Sequence, residues 1–450
     1  MSSASASSSR APFTLVVHGG AGDTLPGAHE EAVHRAGLRA ALEAGYAVLA
    51  EGGSALDAVA VAVSSLENDR SFNSGAGAVF TTAGEIELEA SIMTSSPPAF
   101  HGPDSKDALS TTSTASSYGL TPVPAPIPAA RRLAALSLVK HTKNPVQAAR
   151  ALYLNPAAAP HTFFIGEENE KLAWSLGGSK CVEQEYFYTR KRWLEHRREL
   201  GLPDYDEVHP SEMFDGLDIT LDGQPPAFNA GVQPPHYTSR LPSSANSTHS
   251  DSPAKNQGPL PKGTVGAVAL DQYGVIACAT STGGKNNKLP GRLGDSAAPG
   301  AGSWAETWTD SRASSSNVAA AKTQSKSLLA RVASLCGSSN DVDASSSSTS
   351  TQPARRGVGL SCTGDGDVFL KVSAGALVAH RARFLGESVE TAAGAMIAEF
   401  EALGGEGGVI ALDEKGTPSF ITNCKTMNRG VMSSKDATPR VAIWAHEEVQ

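Results

Sequence analysis

Thr264 lies at a position where its hydroxyl could act as a nucleophile and its own α-amine as the base. It follows Gly263 at the end of a polar stretch and begins the apolar run TVGAVAL. If the bond between these two residues were cut, Thr264 would gain a free α-amine beside its own hydroxyl, and the pKa of such an amine lies near neutrality. Glycine also tolerates the strained geometry that a self-cleaving bond requires. A glycine followed by a threonine can equally begin an ordinary strand, so this pair alone does not decide.

A second group of polar residues follows the next predicted strand. The runs TVGAVAL and GVIACATS flank the turn residues DQYG, which predicts a hairpin that brings Thr280 and Thr282 close to Thr264. The loop after the hairpin carries Arg292 and Asp295, three residues apart. A guanidinium and a carboxylate can bind the α-carboxylate and the α-amine of an amino acid. Such a pair can also form an ordinary surface salt bridge.

The segment SCTGDGD carries a third possible contribution. It places Thr363, Gly364 and Gly366 at a tight turn between two predicted strands, GVGLSC before it and FLKVSA after it. Backbone amides and a hydroxyl at such a turn could stabilise an oxyanion. A simple glycine turn between strands explains the same residues.

The composition is that of an acidic globular protein. The chain has 450 residues, of which 40% are hydrophobic, and its 37 basic and 46 acidic residues give a formal net charge of −9. This is enough to bury a sizeable core, and it gives no support to nucleic-acid binding. No segment has the length of a membrane span, and the serine-rich N-terminus lacks the apolar core of a secretory signal. We therefore expect a cytoplasmic protein that binds neither membrane nor nucleic acid.

Apolar periodicity predicts the elements that must hold the polar residues. A buried strand from Phe13, FTLVV, leads into the glycine-rich HGGAG, and helices follow at residues 30–49 and 54–66. The run VFTTAGEIELEASIM predicts a hairpin, PAARRLAALSLVK a helix, and RKRWLEHRREL a solvated basic helix. Hairpins flanked by helices favour sheets packed between layers of helices.

Low-complexity stretches divide the chain. Residues 203–263 are rich in proline, serine, asparagine and glycine, which predicts a flexible linker that ends at the possible cleavage site. Residues 311–356 include SSSSTSTQ and predict a disordered insert, and residues 1–12 predict a disordered N-terminus. Residues 13–202 and 264–450 are expected to form the N-terminal and C-terminal parts of one domain.

Seven segments occur in the order found in one family of hydrolases: HGGAG, FNSGAGAVFT, GTVGAVALD, TSTGG, LPGRLGDS, GAGSWAE and SCTGDGD. From Phe13 to about Gly430, apart from the low-complexity inserts, the chain resembles the plant-type asparaginase and isoaspartyl peptidase family of N-terminal-nucleophile threonine hydrolases. The resemblance implies an α+β fold with four αββα layers. It also implies self-cleavage of a precursor before the threonine and hydrolysis of a β-amide by the two resulting subunits.

The resemblance also assigns roles by position. Thr264 would be the nucleophile, Thr282 would assist it, and Thr363 with Gly364 would form the oxyanion hole. The residues that would contact the substrate are Asn73, Arg292, Asp295 and Gly366. No cofactor is implied, although the loop from Leu66 to Phe72 resembles one that binds a sodium ion through backbone carbonyls. The implied substrate is a small amino acid or dipeptide, and the implied assembly is a dimer of autoprocessed heterodimers.

Two departures and several alternatives accompany this interpretation. IMTSS lacks the family's usual Asp-Gly after methionine, and TNCKTMNRG lacks its usual Phe-Asn-Thr and Gly-Met-Tyr residues. The loop GKNNKLPGR favours an asparaginase or isoaspartyl peptidase. An N4-(β-N-acetylglucosaminyl)-L-asparaginase, which shares a TGDGD-like turn, and a threonine aspartase, which shares long inserts and SWAE, remain alternatives. From another class, a scaffold that recruits partners through serine-rich inserts is disfavoured by the intact set of polar residues.

Overall fold

The structure is a computed structural model that describes residues 11–98, 117–202, 263–310 and 354–449. Most of the predicted N-terminal tail, the predicted linker up to residue 262 and most of the predicted insert lie outside these ranges. Among the described helices, none combines the length and the apolar character needed to cross a membrane.

The described residues form a mixed α+β fold, as predicted. The α-helices in them are α1 (Ala28–Ala50), α2 (Ala55–Asn68), α3 (Pro145–Leu154), α4 (Glu167–Ser175), α5 (Arg190–Glu199), α6 (Gly366–Val372), α7 (Ala374–His380) and α8 (Val389–Ala402). The strands in them are β1 (Thr14–Gly22), β2 (Leu88–Thr94), β3 (Leu133–Val139), β4 (Phe163–Ile165), β5 (Val265–Leu270), β6 (Ile276–Thr282), β7 (Ser303–Asp310), β8 (Ala354–Gly364), β9 (Gly407–Asp413), β10 (Pro418–Thr422), β11 (Thr426–Ser433) and β12 (Asp436–Trp444).

The strands form two sheets. The larger sheet has eight strands in the order β12-β11-β1-β5-β6-β2-β3-β4, and the smaller has four in the order β10-β9-β8-β7. All neighbouring pairs are antiparallel except β3 and β4. The predicted hairpin around DQYG is confirmed, because β5 and β6 pair from Val265 opposite Ser281 to Leu270 opposite Ile276.

Alternating side chains give each central strand two buried faces. Leu15 and Val17 of β1 pack with α1 and α2, whereas Val16 packs in a core that also contains Ile410 and Leu412 of the smaller sheet. β5 and β6 contact β8 in the same way, and helices α7 and α8 pack on the smaller sheet. Period-two alternation therefore turns every second residue of β1, β5 and β6 toward the smaller sheet.

Several predicted elements differ from the structure. PAARRLAALSLVK was expected to be helical, but Leu133–Val139 is strand β3, paired with β2 and β4. FLKVSA was expected to be a strand, but it lies largely in helix α6, whose N-cap Asp365 accepts a hydrogen bond from the Asp367 amide. The predicted hairpin VFTTAGEIELEASIM contributes only the strand β2. In the first two cases, tertiary pairing and a local cap outweigh the residue pattern.

Strand β8 also begins inside the predicted insert. Residues 354–356 pair with the end of β7, where Asp310 lies opposite Ala354. Arg356 forms an ion pair with Glu414, with 3.5 Å between Nε and Oε1. The ordered sheet thus extends three residues into the segment predicted to be disordered.

Candidate active site

The predicted polar side chains lie between the two sheets. Thr264 immediately precedes β5 and lies an even number of residues from Val268, whose side chain is in the core between the sheets. Thr280 and Thr282 are likewise on the face of β6 that carries Cys278, a member of that core. Because side chains alternate along a strand, the threonines point toward β8.

The hydroxyl of Thr264 has a defined partner. Its Oγ1 donates a hydrogen bond to Oγ1 of Thr282 over 3.1 Å, and Thr282 Oγ1 also accepts one from the amide of Gly284 over 2.9 Å. Both threonines are buried, with Thr264 8% and Thr282 2% exposed. The predicted proximity of the two hydroxyls is confirmed, and their hydrogen bond orients the hydroxyl that could act as a nucleophile.

The carbonyl of Thr264 accepts two hydrogen bonds. Nδ1 of His18 lies 2.9 Å from this oxygen, and Oγ1 of Thr363 donates to it over 3.2 Å. In this structure, the Thr363 hydroxyl, which was predicted to hold an oxyanion, is therefore engaged with the backbone of Thr264 itself.

Sequence reasoning missed His18, which lies in strand β1. Its Nε2 is 2.7 Å from Oγ of Ser361, and that oxygen is 2.7 Å from Oγ1 of Thr280. Burial lowers the pKa of His18 to about 3, against the opposing effect of its hydrogen bond to Thr264, so the ring is neutral. The available signal was positional, because His18 is two residues after Val16 on the face of β1 that points between the sheets.

Arg292 and Asp295 lie at the same pocket but are not a surface salt bridge. Nε and Nη2 of Arg292 donate to Oδ1 of Asp367 over 3.2 and 2.6 Å. Asp295 is buried, and burial raises its pKa to about 7, with a further increase from the negative charge of Glu89 and a decrease from Arg292. Glu89 is itself buried and accepts a hydrogen bond from the Gly294 amide over 2.7 Å.

Lys285 adds charge to the rim of this pocket. Its Nζ lies 2.8 Å from an oxygen of Asp365 and 2.6 Å from one of Asp367. Asp367 thus accepts from both Arg292 and Lys285, and the pKa of its carboxyl is held below its ordinary value by these cations in spite of burial. The long side chains around the pocket are therefore fixed by ion pairs.

The two glycines predicted for this site are required by close contacts. Gly364 has a φ of +142°, and a Cβ there would lie 2.4 Å from the carbonyl oxygen of Glu406. A Cβ on Gly366 would lie 2.4 Å from Oδ1 of Asp295. Because Gly366 has no side chain, the Asp295 carboxylate has space beside it.

Asn73 connects Gly263 to the loop after β6. Its Nδ2 donates to the carbonyl of Gly284 over 2.8 Å, and its Oδ1 accepts from the Val79 amide over 3.0 Å. A Cβ on Gly263 would lie 2.8 Å from the Cβ of Asn73. The predicted active-site asparagine therefore packs directly against Gly263.

Two cavities meet at Gly263. A small one of about 20 Å³ is bordered by Thr264, Thr282, Lys285, Arg292, Asp295 and Gly366. A larger one of about 830 Å³ is bordered by Asn73, Lys191, Arg198, Asn286 and Asn428. Gly263 borders both. The small cavity has room for about one water molecule.

The loop predicted to bind sodium contains closely spaced carbonyl groups. A Cβ on Gly77 would lie 2.2 Å from the carbonyl oxygen of Phe72 and 2.6 Å from that of Arg70. Both oxygens therefore lie against the α-carbon of Gly77, and carbonyl oxygens are hard donors of the kind that hard cations prefer. Among the described residues, no group of three or more His, Cys, Asp or Glu side chains could hold a metal ion.

Comparisons with known proteins identify the same family that the order of the sequence motifs indicates. A family model described as Asparaginase matches residues 11–101, 128–316 and 349–443. The isoaspartyl peptidase of Salmonella typhimurium is 27% identical over 434 residues, which cover 96% of this chain and 98% of that protein. That of Escherichia coli is 28% identical over 434 residues, covering 96% and 95%. The isoaspartyl peptidase/L-asparaginase of Mus musculus is 32% identical over 295 residues, covering 65% and 64%.

Proposed function

The chain belongs to the asparaginase family, and from that premise we propose that Thr264, released by self-cleavage, is the nucleophile of its reaction. The enzyme is an amidohydrolase that acts on the β-amide of L-asparagine and of isoaspartyl peptides. The observation that carries the proposal for Thr264 is the convergence of its hydroxyl with Thr282 and of its carbonyl with Thr363. The facing sheets and their outer helices support the finer proposal of four αββα layers, with residues 13–202 and 264–450 as the two parts of one domain.

Self-cleavage would begin with the Thr264 hydroxyl. Its oxygen attacks the carbonyl carbon of Gly263, and its proton passes to the nitrogen of Thr264 as the carbon–nitrogen bond breaks. An ester between Gly263 and Thr264 results, and the α-amine becomes free. Water then hydrolyses the ester and leaves a carboxylate on Gly263 and a free hydroxyl on Thr264. The hydrogen bond to Thr282 supports this role because it fixes the direction of the hydroxyl.

The released α-amine would act as the general base in turnover. It accepts the hydroxyl proton of Thr264 as the oxygen attacks the β-amide carbon of the substrate. The Thr363 hydroxyl and the Gly364 amide would hold the oxyanion. The leaving amine takes the proton, and water then hydrolyses the aspartyl ester and regenerates Thr264.

Substrate recognition would follow from the charges of the small pocket. Arg292 would bind the α-carboxylate and Asp295 the α-ammonium group, with Gly366 leaving room for the contact. The larger cavity beside Gly263 offers space for a leaving group bigger than ammonia, which supports β-aspartyl dipeptides as substrates beside asparagine. The same space would also admit the sugar of a glycosylasparagine, which keeps that alternative open. An internal peptide bond has no free α-groups for Arg292 and Asp295, which disfavours a threonine aspartase.

Three further proposals concern the sodium site, the location and the assembly of the enzyme. The backbone carbonyls of the loop from Leu66 to Phe72 would hold a sodium ion, whose role would be to keep the loop in shape. No other cofactor is proposed. We further propose a cytoplasmic enzyme that works as a dimer of autoprocessed heterodimers, without nucleic-acid or membrane partners.

A denaturing gel with N-terminal sequencing tests the proposal. Cleavage before Thr264 should split the 46.4 kDa chain into pieces of about 27 and about 19 kDa, by proportion of length. The Thr264→Ala variant should remain one band and hydrolyse no β-amide, and a variant that still yields two bands would refute the assignment. The mature enzyme is then compared on asparagine, a β-aspartyl dipeptide, N-acetylglucosaminyl-asparagine and an internal Xaa-Asp-Gly peptide. Preferred cleavage of the last would indicate a threonine aspartase.

A further inference from the structure

We propose that His18 is a positioning residue that holds the carbonyl of Thr264 through self-cleavage and turnover. This inference rests on the proposed function of Thr264. Its basis is a buried chain of hydrogen bonds that runs from Thr280 through Ser361 and His18 to the nucleophile's own backbone.

The hydrogen-bonding partners fix which nitrogen of His18 carries the proton. The carbonyl of Thr264 can only accept, so Nδ1 of His18 must donate across the 2.9 Å contact. In a neutral ring Nε2 is then an acceptor, and Ser361 donates to it over 2.7 Å. The Ser361 oxygen in turn accepts from Thr280 over 2.7 Å. Each member of the chain thus orients the next one.

This series of hydrogen bonds is important because Thr363 has two possible roles. In the uncut protein its hydroxyl donates to the carbonyl of Thr264. If that hydroxyl moves to an oxyanion during the reaction, the Thr264 carbonyl keeps one donor only if His18 remains. A buried carbonyl that lost both donors would be costly, and its peptide unit could rotate. Cleavage would also remove the peptide bond that ties the nitrogen of Thr264 to Gly263, so the hydrogen bonds of its carbonyl and hydroxyl would matter more for its position.

The packing around the chain supports a positioning role. A Cβ on Gly266 would lie 2.2 Å from Oγ of Ser361 and 2.3 Å from Nε2 of His18. The backbone of β5 therefore rests directly on the hydrogen bond between these two side chains. All three residues are held within the sheets, with His18 and Ser361 fully buried. The imidazole thus has little freedom to turn away from Thr264.

Two substitutions of similar size separate the two ends of the imidazole. In His18→Asn the side-chain amide can place a donor near the position of Nδ1 and so reach the Thr264 carbonyl. In His18→Gln the amide extends toward the position of Nε2 and Ser361 instead. We expect His18→Asn to keep self-cleavage and kcat within a few-fold of the parent. His18→Gln should lose about 100-fold in kcat with little change in KM, the cost expected for a misplaced nucleophile.

The parent enzyme and both variants are measured together for processing, kcat, KM and melting temperature. Similar melting temperatures with different kcat values support the proposal, whereas equal kcat values in the two variants would overturn it. A parent protein that stays uncut contradicts the proposed function, and the role of His18 falls with it. A ¹⁵N spectrum of histidine-labelled parent protein applies even if the variants fail to fold. A neutral ring protonated at Nδ1 is expected for His18, and protonation at Nε2 would exclude the donation to Thr264.

Discussion

Glu89→Gln should extend activity to lower pH by acting on Asp295. In the proposed binding mode, Asp295 must be ionised to hold the substrate's α-ammonium group, so kcat/KM should fall as the pH drops through the pKa of Asp295. That pKa is about 7, raised first by burial and next by the charge of Glu89, with a smaller increase from Asp367 and a decrease from Arg292. Removing the charge of Glu89 therefore lowers the pKa of Asp295.

The size of the effect follows from the ionised fraction. With a pKa of about 7, roughly a tenth of Asp295 is ionised one pH unit below it, and a decrease of about one unit in the pKa would raise this to roughly one half. The kcat/KM for asparagine or a β-aspartyl dipeptide should then increase about fivefold at that pH and stay nearly unchanged on the alkaline plateau. Glutamine is a close match in shape and keeps an oxygen for the Gly294 amide, which now donates to Glu89 over 2.7 Å.

The assay is a pH profile of kcat/KM for the processed parent and variant. The free α-amine of Thr264 also titrates near neutrality, but that effect is common to both proteins and cancels in the comparison. Glu87→Gln is the matched control, since Glu87 is also buried and also accepts from a backbone amide, that of Gly291. An acid limb that stays in place in Glu89→Gln, or that moves equally in Glu87→Gln, would refute the reasoning.

Three further predictions concern stability, the pocket and the insert. The pKa of Glu67 is raised from 4.5 to about 7 by burial, so its contribution to stability is full below the lower value and lost as the pH rises to the upper one. Glu67→Gln should therefore reduce the fall in the free energy of unfolding between about pH 5 and about pH 8 by up to about 3 kcal/mol in urea titrations, and an unchanged fall would contradict this. Gly366→Ala places a methyl 2.4 Å from Oδ1 of Asp295 and should raise KM without slowing self-cleavage, whereas Gly394→Ala, which has nothing within 4 Å, should change neither. Deleting residues 314–352, which lie outside the described residues, should leave processing on a denaturing gel intact, because serine-rich segments bury little surface.

The parts of the site that the sequence predicted are those that lie close together in the chain or carry a distinctive motif. Thr264 and Thr282 are joined by one hairpin, so the period of two and the DQYG turn were enough to bring them together. Strand β3 was mistaken for a helix because its alanines and leucines favour helices locally, and only pairing with β2 and β4 makes it a strand.

Partners that are distant in sequence could not be predicted. The contact from His18 to Ser361 joins residues 343 positions apart, and that from Arg292 to Asp367 joins residues 75 apart. The residues next to His18 and to Asp367 in the sequence give no indication of these partners. In the sequence, His18 simply follows the apolar run FTLVV, and Asp367 is the second of two aspartates in SCTGDGD. Their roles depend on which strands face each other, and that is a property of the complete fold.

The position of Gly263 gives a second reason why activity should depend on cleavage. The first reason is chemical, because Thr264 has no α-amine base until its peptide bond is cut. The second is spatial. In the uncut chain, the cavity that contains Arg292 and Asp295 measures about 20 Å³ and so has room for about one water molecule, which is far less than an aspartyl group requires. Gly263 borders this cavity and the neighbouring one of about 830 Å³. If the bond is hydrolysed as proposed, Gly263 would be free to move away, and the two cavities that it borders could join. The aspartyl group of the proposed substrate would then reach Arg292 and Asp295 from the side of the larger cavity, while the Thr264 carbonyl would keep its hydrogen bond from His18.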